Sequence, residues 1–292
     1  ADMDPRVAAA KINNLPADEL TCPPNKPDRR LHAGYWMAGR GFSAVGMEGS
    51  QLSQLVEAYD LVADLIPDAE RQRIEKDLFL EGTYLLLCDT ALNNKTATNR
   101  SAVGQIGMAI GDPRRVRFGL AGLRWFINEW FLPDGAACES PSYGNMTLSG
   151  IWQFADTLHG YSDPPGYQDA AGRIDNLDIY GEARYRSVVQ VLAESLLPSR
   201  AYPPIADTHI TTGISLEIAE VMATRYPDPR FRALLNELAG GDLSAQGAEW
   251  ALFHRDPEPP ASIPSMALPD RFFPAWKIGY LRSGKDGRRG AA

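Results

Sequence analysis

Residues 51–66 read QLSQLVEAYDLVADLI, with Leu52, Leu55, Val56, Tyr59, Val62 and Ile66 recurring every three or four positions. Apolar residues at that interval fall on one side of an α-helix, so the stretch predicts an amphipathic helix with a single stripe turned to a core. The same reading extends outward along the chain. Pro67-Asp68 ends this helix and opens the next, where Ile74, Leu78, Leu85 and the apolar run to Cys88 predict a buried helix. Residues 101–110 form a glycine-containing helix stopped by Gly111-Asp112-Pro113, and residues 114–131 follow with Val116, Leu120, Leu123, Ile127 and Trp130 on one side. Further helices are expected over residues 143–158, 181–197, 214–226, 229–238 and 245–254, separated by loops rich in Pro, Gly and Asp. Many helices on short connections predict an all-α fold of antiparallel helical hairpins, as in bundles, solenoids or toroids.

A chain of 292 residues is long enough for one large domain or two medium ones. Its 44% hydrophobic and 23% charged content places it among globular rather than disordered chains. A formal charge of −8 argues against nucleic acid as a partner, yet leaves room for an anion held by a few local arginines. Cys22, Cys88 and Cys138 make neither a complete disulfide framework nor a CxxC site. The apolar runs are far too short for a membrane span, so no membrane partner is expected. Ala1 opens no recognisable signal peptide, which reads as a cytoplasmic or already processed chain.

Residues 134–143 read DGAACESPSY, a turn-rich stretch between two helix-like segments. Asp134-Gly135 and Pro141 punctuate it as a loop, and Tyr143 falls where the next periodic segment begins. A tyrosine there is either a general acid or base facing a cleft, since its hydroxyl both gives and accepts a proton, or a helix-entry residue bonded into a core. Arg114, Arg115, Arg117 and Arg124 make a basic stretch on an acidic background. Arg117 and Arg124 share a helix face, either as the wall of a polyanion groove or as a solvated surface. Tyr35 and Trp36, near His32, suit a sugar-stacking platform or a buried aromatic cluster. Asp175, Asp178, Asp207 and His209 are too dispersed to assign to a metal, and no cofactor is implied. Asn94, Asn99 and Asn145 each open an Asn-x-Ser/Thr triplet.

The character of the chain changes near its end. Residues 271–282, RFFPAWKIGYLR, alternate Trp276, Ile278 and Tyr280 with Lys277, Gly279 and Leu281, which predicts one β-strand in need of partners. The expected division is a helical domain over residues 1–265 and, over residues 266–292, a linker with the first strand of a further domain.

Three segments in order resemble a known family. They are Asn99-Arg100-Ser101 with Gly104, Gly107 and Gly111-Asp112; Phe131-Leu132-Pro133-Asp134-Gly135 through Glu139-Ser140-Pro141-Ser142-Tyr143; and Gly279-Tyr280-Leu281-Arg282-Ser283-Gly284. Together they are similar to the heparinase II/III-like polysaccharide lyases, including the related alginate lyases. The chain departs from the family pattern at Ala136-Ala137, where Gly and an aromatic or His are common, and at Arg100, where His or Trp is common. The resemblance implies an incomplete α/α toroid followed by an antiparallel β-sandwich, and a secreted or periplasmic protein. It also implies β-elimination on a uronic-acid polymer, in which the sugar carboxylate is neutralised while the C5 proton leaves. On that reading Asn99 and Arg100 hold the carboxylate, Tyr143 protonates the leaving oxygen, His209 is the internal candidate for the second proton-transfer group, and Glu139 joins Tyr35, Trp36 and Arg117 in binding substrate. For Asn99 a helix N-cap is the structural alternative. Two other functions stay open: a toroidal glycoside hydrolase drawing paired carboxylates from Asp134, Glu139 or Asp207, and a carbohydrate-binding module without activity.

Overall fold

The computed structural model describes residues 46–87, 92–243, 249–255, 268–283 and 289–291. In chain order the helices are α1 Gly46–Val62, α2 Asp68–Ile74, α3 Glu81–Leu87, α4 Asn94–Ala109, α5 Pro113–Trp125, α6 Pro141–Ser149, α7 Trp152–Thr157, α8 Ala183–Glu194, α9 Leu216–Arg225, α10 Pro229–Leu238 and α11 Glu249–His254. Two π-helical stretches, Glu75–Leu80 and Phe126–Trp130, adjoin α3 and α5. The strands are β1 Arg271–Phe273, β2 Ile278–Tyr280, β3 Arg282–Ser283 and β4 Arg289–Ala291. The chain is mostly helical, as an all-α fold requires. Among the described residues no helix is long and apolar enough to cross a membrane. Two compact units result: Ala1–Phe126 with Gly150–Ile179, and Ile127–Ser149 with Tyr180–Ala292.

In the first unit α4 packs against α1, α5 and α7. Leu52, Val56 and Tyr59 of α1 enter a core with Phe79, Leu86, Val103, Ile106 and Phe118. The buried face is rotated from the apolar stripe: Leu55 and Val62, roughly 60–80° round the helix from Leu52 on one side, remain 45% and 43% exposed, whereas Ser53, about 100° round on the other, is buried. Helix α4 begins earlier than expected. Asn93 caps it by accepting from the N–H groups of Lys95 and Thr96, which satisfies donors that a helix start leaves unpaired. Asn99 is therefore mid-helix and not a cap. The glycines of this region allow close approach of α4 and α5. A Cβ on Gly119 would lie 2.7 Å from the Cα of Gly104, and one on Gly104 would enter the Phe154 ring of α7. Asp112 caps α5 through the Arg114 N–H, with Pro113 in the first turn.

In the second unit α6 packs on α8, and α9 on α10. The periodic segment expected over residues 143–158 is interrupted between α6 and α7, at Gly150 and Ile151. Gly150 opens the part of this segment that belongs to the first unit, and there it faces Thr98 so closely that a side chain would collide with the Thr98 hydroxyl. The single strand expected over residues 271–282 is instead an antiparallel hairpin, pairing Arg271 with Tyr280, Phe272 with Gly279 and Phe273 with Ile278. Pro274 and Lys277, the latter at φ 60°, lie in the turn between the strands, so Trp276 belongs to the turn. Phe273 and Tyr280 point inward onto Ala136 and Val191, while Phe272 and Leu281 face outward, 64% and 66% exposed.

Candidate functional site

The loop that leads to Tyr143 is held from three sides within the second unit. Its own backbone closes it, with Leu132 N–H donating to the Ala136 carbonyl and Gly135 N–H to that of Leu132, both at 2.8 Å. Gly135 adopts φ 89° and passes so near α8 that a Cβ would stand 2.8 Å from the Ser187 carbonyl oxygen, a position only glycine fills. From α8, Arg184 donates to the carbonyls of Phe131 at 2.7 Å, Leu132 at 2.8 Å and Pro133 at 3.1 Å. Burial lowers the Arg184 pKa, partly offset by the nearby Asp134 carboxylate. Asp134 is the third tie. One carboxylate oxygen accepts from Ala136 N–H at 3.2 Å, and the other accepts from Ala275 and Trp276 N–H at 2.8 and 3.0 Å, fastening the β1–β2 turn to this loop.

The loop then delivers α6. Ser140 is fully buried and accepts from the Tyr143 N–H at 3.3 Å, with Pro141 as first residue of the helix. That arrangement is an N-cap followed by a proline whose missing N–H costs nothing. Gly144 lets the helix settle over Ala137, whose methyl would be 2.8 Å from a Cβ at that position. Ala136 and Ala137 are both buried, so a larger side chain at either position would have to displace its neighbours.

A second loop meets the start of α6. Residues 201–213 are closed at the neck by the Ala201–Gly213 bridge and by Tyr202 N–H donating to the Thr212 carbonyl at 2.7 Å. Inside it, Thr208 is buried and its hydroxyl accepts from the Ser142 N–H at 3.3 Å. This bond joins the residues immediately before Tyr143 and His209. Tyr143 is half-buried and His209 exposed, as are Asp207 and Glu139. The structure therefore brings the Tyr143 and His209 segments together at one end of α6. Cys138 is at the surface of the same loop, and the partial desolvation of its thiol, with Glu139 nearby, raises its pKa.

The other expected site residues sit differently. Asn99 and Arg100 belong to the first unit and are 0% and 1% exposed. The Asn99 amide oxygen would be 2.5 Å from a Cβ on Gly49, so it fills the space where α1 crosses α4. The Arg100 guanidinium lies 4.4 Å from the Phe118 ring centre and 5.9 Å from that of Trp125, as a core cation does when aromatic faces solvate it. Arg117, also in the first unit, donates to both oxygens of Asp163, to Asp169 at 2.7 Å and to the Gly172 carbonyl at 2.6 Å. Its charge is already met by two carboxylates. Tyr35 and Trp36 lie outside the described residues. Asn94 is buried like Asn99, so neither triplet presents an amide for glycan attachment. Among the described residues, no group of three or more His, Cys, Asp or Glu is placed to hold a metal ion.

Sequence reasoning missed Ser140, Thr208, Arg184 and the anchoring role of Asp134. Only Ser140 left a local signal, a serine directly before a proline at a helix start. No protein-family model matches the chain, and no curated protein matches it.

Proposed function

We propose that the chain is the helical part of a polysaccharide lyase that cleaves a uronic-acid polymer by β-elimination, with Tyr143 and His209 as the proton-transfer pair. The observation that carries this reading is the Ser142 N–H to Thr208 Oγ1 bond, which fixes the two segments side by side while leaving His209 exposed and Tyr143 half-buried. In the reaction the neutral His209 imidazole takes the C5 proton, and the freed electron pair forms the C4–C5 double bond. The C4–O bond breaks, and the Tyr143 hydroxyl gives its proton to the departing oxygen. Exchange with solvent then resets both groups. Asn99 and Arg100 do not enter this step, because neither side chain reaches solvent.

The proposed architecture is an incomplete α/α toroid that adjoins an antiparallel β-sandwich, and the proposed setting is outside the cytoplasm, where such polymers occur. The outward Phe272 and Leu281 support a further layer over the hairpin, since large apolar side chains grouped on a surface mark places that another element covers. A hydrolase reading loses one of its carboxylates, because both oxygens of Asp134 are spent on backbone N–H groups.

Tyr143→Phe and His209→Ala, assayed on alginate and on heparan-type glycans by ultraviolet absorbance of the unsaturated product, test the reading. Each is expected to cut turnover roughly 100-fold or more, the usual scale for a general acid or base, with glycan binding retained. Normal turnover in either variant removes that residue from the mechanism. Reducing ends without ultraviolet product establish hydrolysis, and binding without any product establishes a binding module.

A further inference from the structure

Tyr202 stands at the neck of the His209 loop, and Tyr280 on β2; they are 0% and 4% exposed. Two contacts bring their surroundings together. Leu197 packs in the cluster that holds Tyr280, and its N–H donates to the carbonyl of Ala201, the residue before Tyr202, at 2.8 Å. Arg282 donates to the carbonyls of Glu194 at 2.6 Å and Leu196 at 3.2 Å, while its guanidinium lies 4.9 Å from the Tyr280 ring centre. Neither phenol oxygen, nor Nε of Arg282, has a hydrogen-bond partner among the described residues. Native interiors pair nearly all such groups, with protein or with ordered water.

We propose that Tyr202, Tyr280 and Arg282 line a buried hydration site whose water bridges the root of the His209 loop to strand β2. The chemistry of the three groups selects the occupant. Burial raises the pKa of both phenols, that of Tyr280 to about 12, so each keeps its proton and acts as a donor. The Nε–H of Arg282 is a donor as well. A water oxygen accepts from two of these donors and returns a proton to a phenol oxygen, within the two to four bonds usual for buried water. Through that water the hairpin, already tied to the Tyr143 loop by Asp134, also steadies the loop that carries His209. The inference stands apart from the lyase reading, since its test measures hydration and amide exchange rather than turnover.

A crystal structure at about 1.5 Å should show one ordered water within about 3.2 Å of both phenol oxygens. A dry space, or a direct phenol–phenol bond, overturns the proposal. Tyr280→Phe keeps the ring and removes one donor. It should speed hydrogen exchange of the Tyr202 amide roughly tenfold, although the two residues lie on different elements. Unchanged or slower exchange also overturns it. In a double-mutant cycle with Tyr202→Phe, each single change should lower the folding constant about 5- to 10-fold, and the pair no more than the larger single. Additive losses, or a stabilised single variant, count against a shared water.

Discussion

Replacing either partner of the Arg117–Asp163 pair distinguishes a loop anchor from a polyanion-binding arginine. The Asp163 side chain is 0% exposed and that of Arg117 is 12% exposed. Asp163 also accepts from the Ile174 N–H at 2.6 Å and the Tyr161 hydroxyl at 3.0 Å, and Arg173 binds its carbonyl, so this carboxylate gathers residues 161–174 onto α5. Breaking a buried ion pair by removing one partner costs about 3–5 kcal/mol. Asp163→Ala leaves Arg117 with Asp169 and the Gly172 carbonyl, which places its cost near the lower end, about 3 kcal/mol. Arg117→Ala abandons a carboxylate with no exposed surface and also loses the Tyr167 ring 5.5 Å away, so it should cost at least as much. Urea unfolding followed by circular dichroism measures both, and hydrogen exchange of the Ile174 amide reports the loop. The pH dependence has a definite sign. Burial pushes the Asp163 carboxyl up, but bonds from Arg117, Ile174 and Tyr161 outweigh it and hold the pKa below the usual carboxylate value. A depressed folded pKa contributes stability above the unfolded value near 3.9 and loses it as pH falls through the folded one. The difference between the wild-type chain and Asp163→Asn should thus be constant above about pH 5 and shrink below about pH 4. A loss under about 1 kcal/mol with an unchanged Ile174 amide, together with weaker polyanion binding by Arg117→Ala, would refute the anchor and restore the groove.

Gly104→Ala should destabilise the first unit by about 1–2 kcal/mol in thermal unfolding, because overpacking against Phe154 exceeds the roughly 1 kcal/mol that alanine gains in a helix; a neutral change would mean the ring yields freely. Asn99→Ala should cost about 1–3 kcal/mol of stability, the scale for disturbing a buried polar group, and leave turnover per folded molecule unchanged. A turnover loss without destabilisation would return Asn99 to the chemistry. Asp134→Ala should free the hairpin turn, speeding exchange of the Ala275 and Trp276 amides by tenfold or more and costing about 1.5–3 kcal/mol for bonds to a charged acceptor. Retained protection of both amides would show that the inward Phe273 and Tyr280 suffice to hold the hairpin.

What the sequence disclosed and what it concealed divide along the range of the interactions involved. Periodicity is local, so the helical segments were legible from spacing, although the break between α6 and α7 and the early start of α4 were not, and the caps at Asp112 and Asp228 coincide with Asp-Pro steps that any reader of the chain can see. Spacing does not say to which side the partner surface extends, and Leu55 and Val62 accordingly looked like core while the buried Ser53 did not. It also cannot separate a strand from a hairpin when the turn is itself apolar. Residues 274–277 read Pro-Ala-Trp-Lys and kept the alternation going, while the two N–H groups that make the turn are satisfied by Asp134, more than 100 residues earlier. The candidate site follows the same division. Tyr143 was legible because the Ser-Pro step places it in the first turn of a helix. Its juxtaposition with the His209 segment was not, because one hydroxyl, that of Thr208, accepts an N–H across 66 positions with no compositional trace. Asn99 and Arg100 were misjudged in the opposite direction: polar residues in a glycine-rich segment looked accessible, whereas the glycines are what draw α1, α4 and α5 close enough to bury them. A glycine at Gly49 or Gly122 is therefore better evidence about its neighbour's burial than about its own flexibility. Gly122→Ala tests that inversion, because a methyl group there would meet the Arg100 side chain at 2.7 Å and should destabilise the unit without touching any exposed residue.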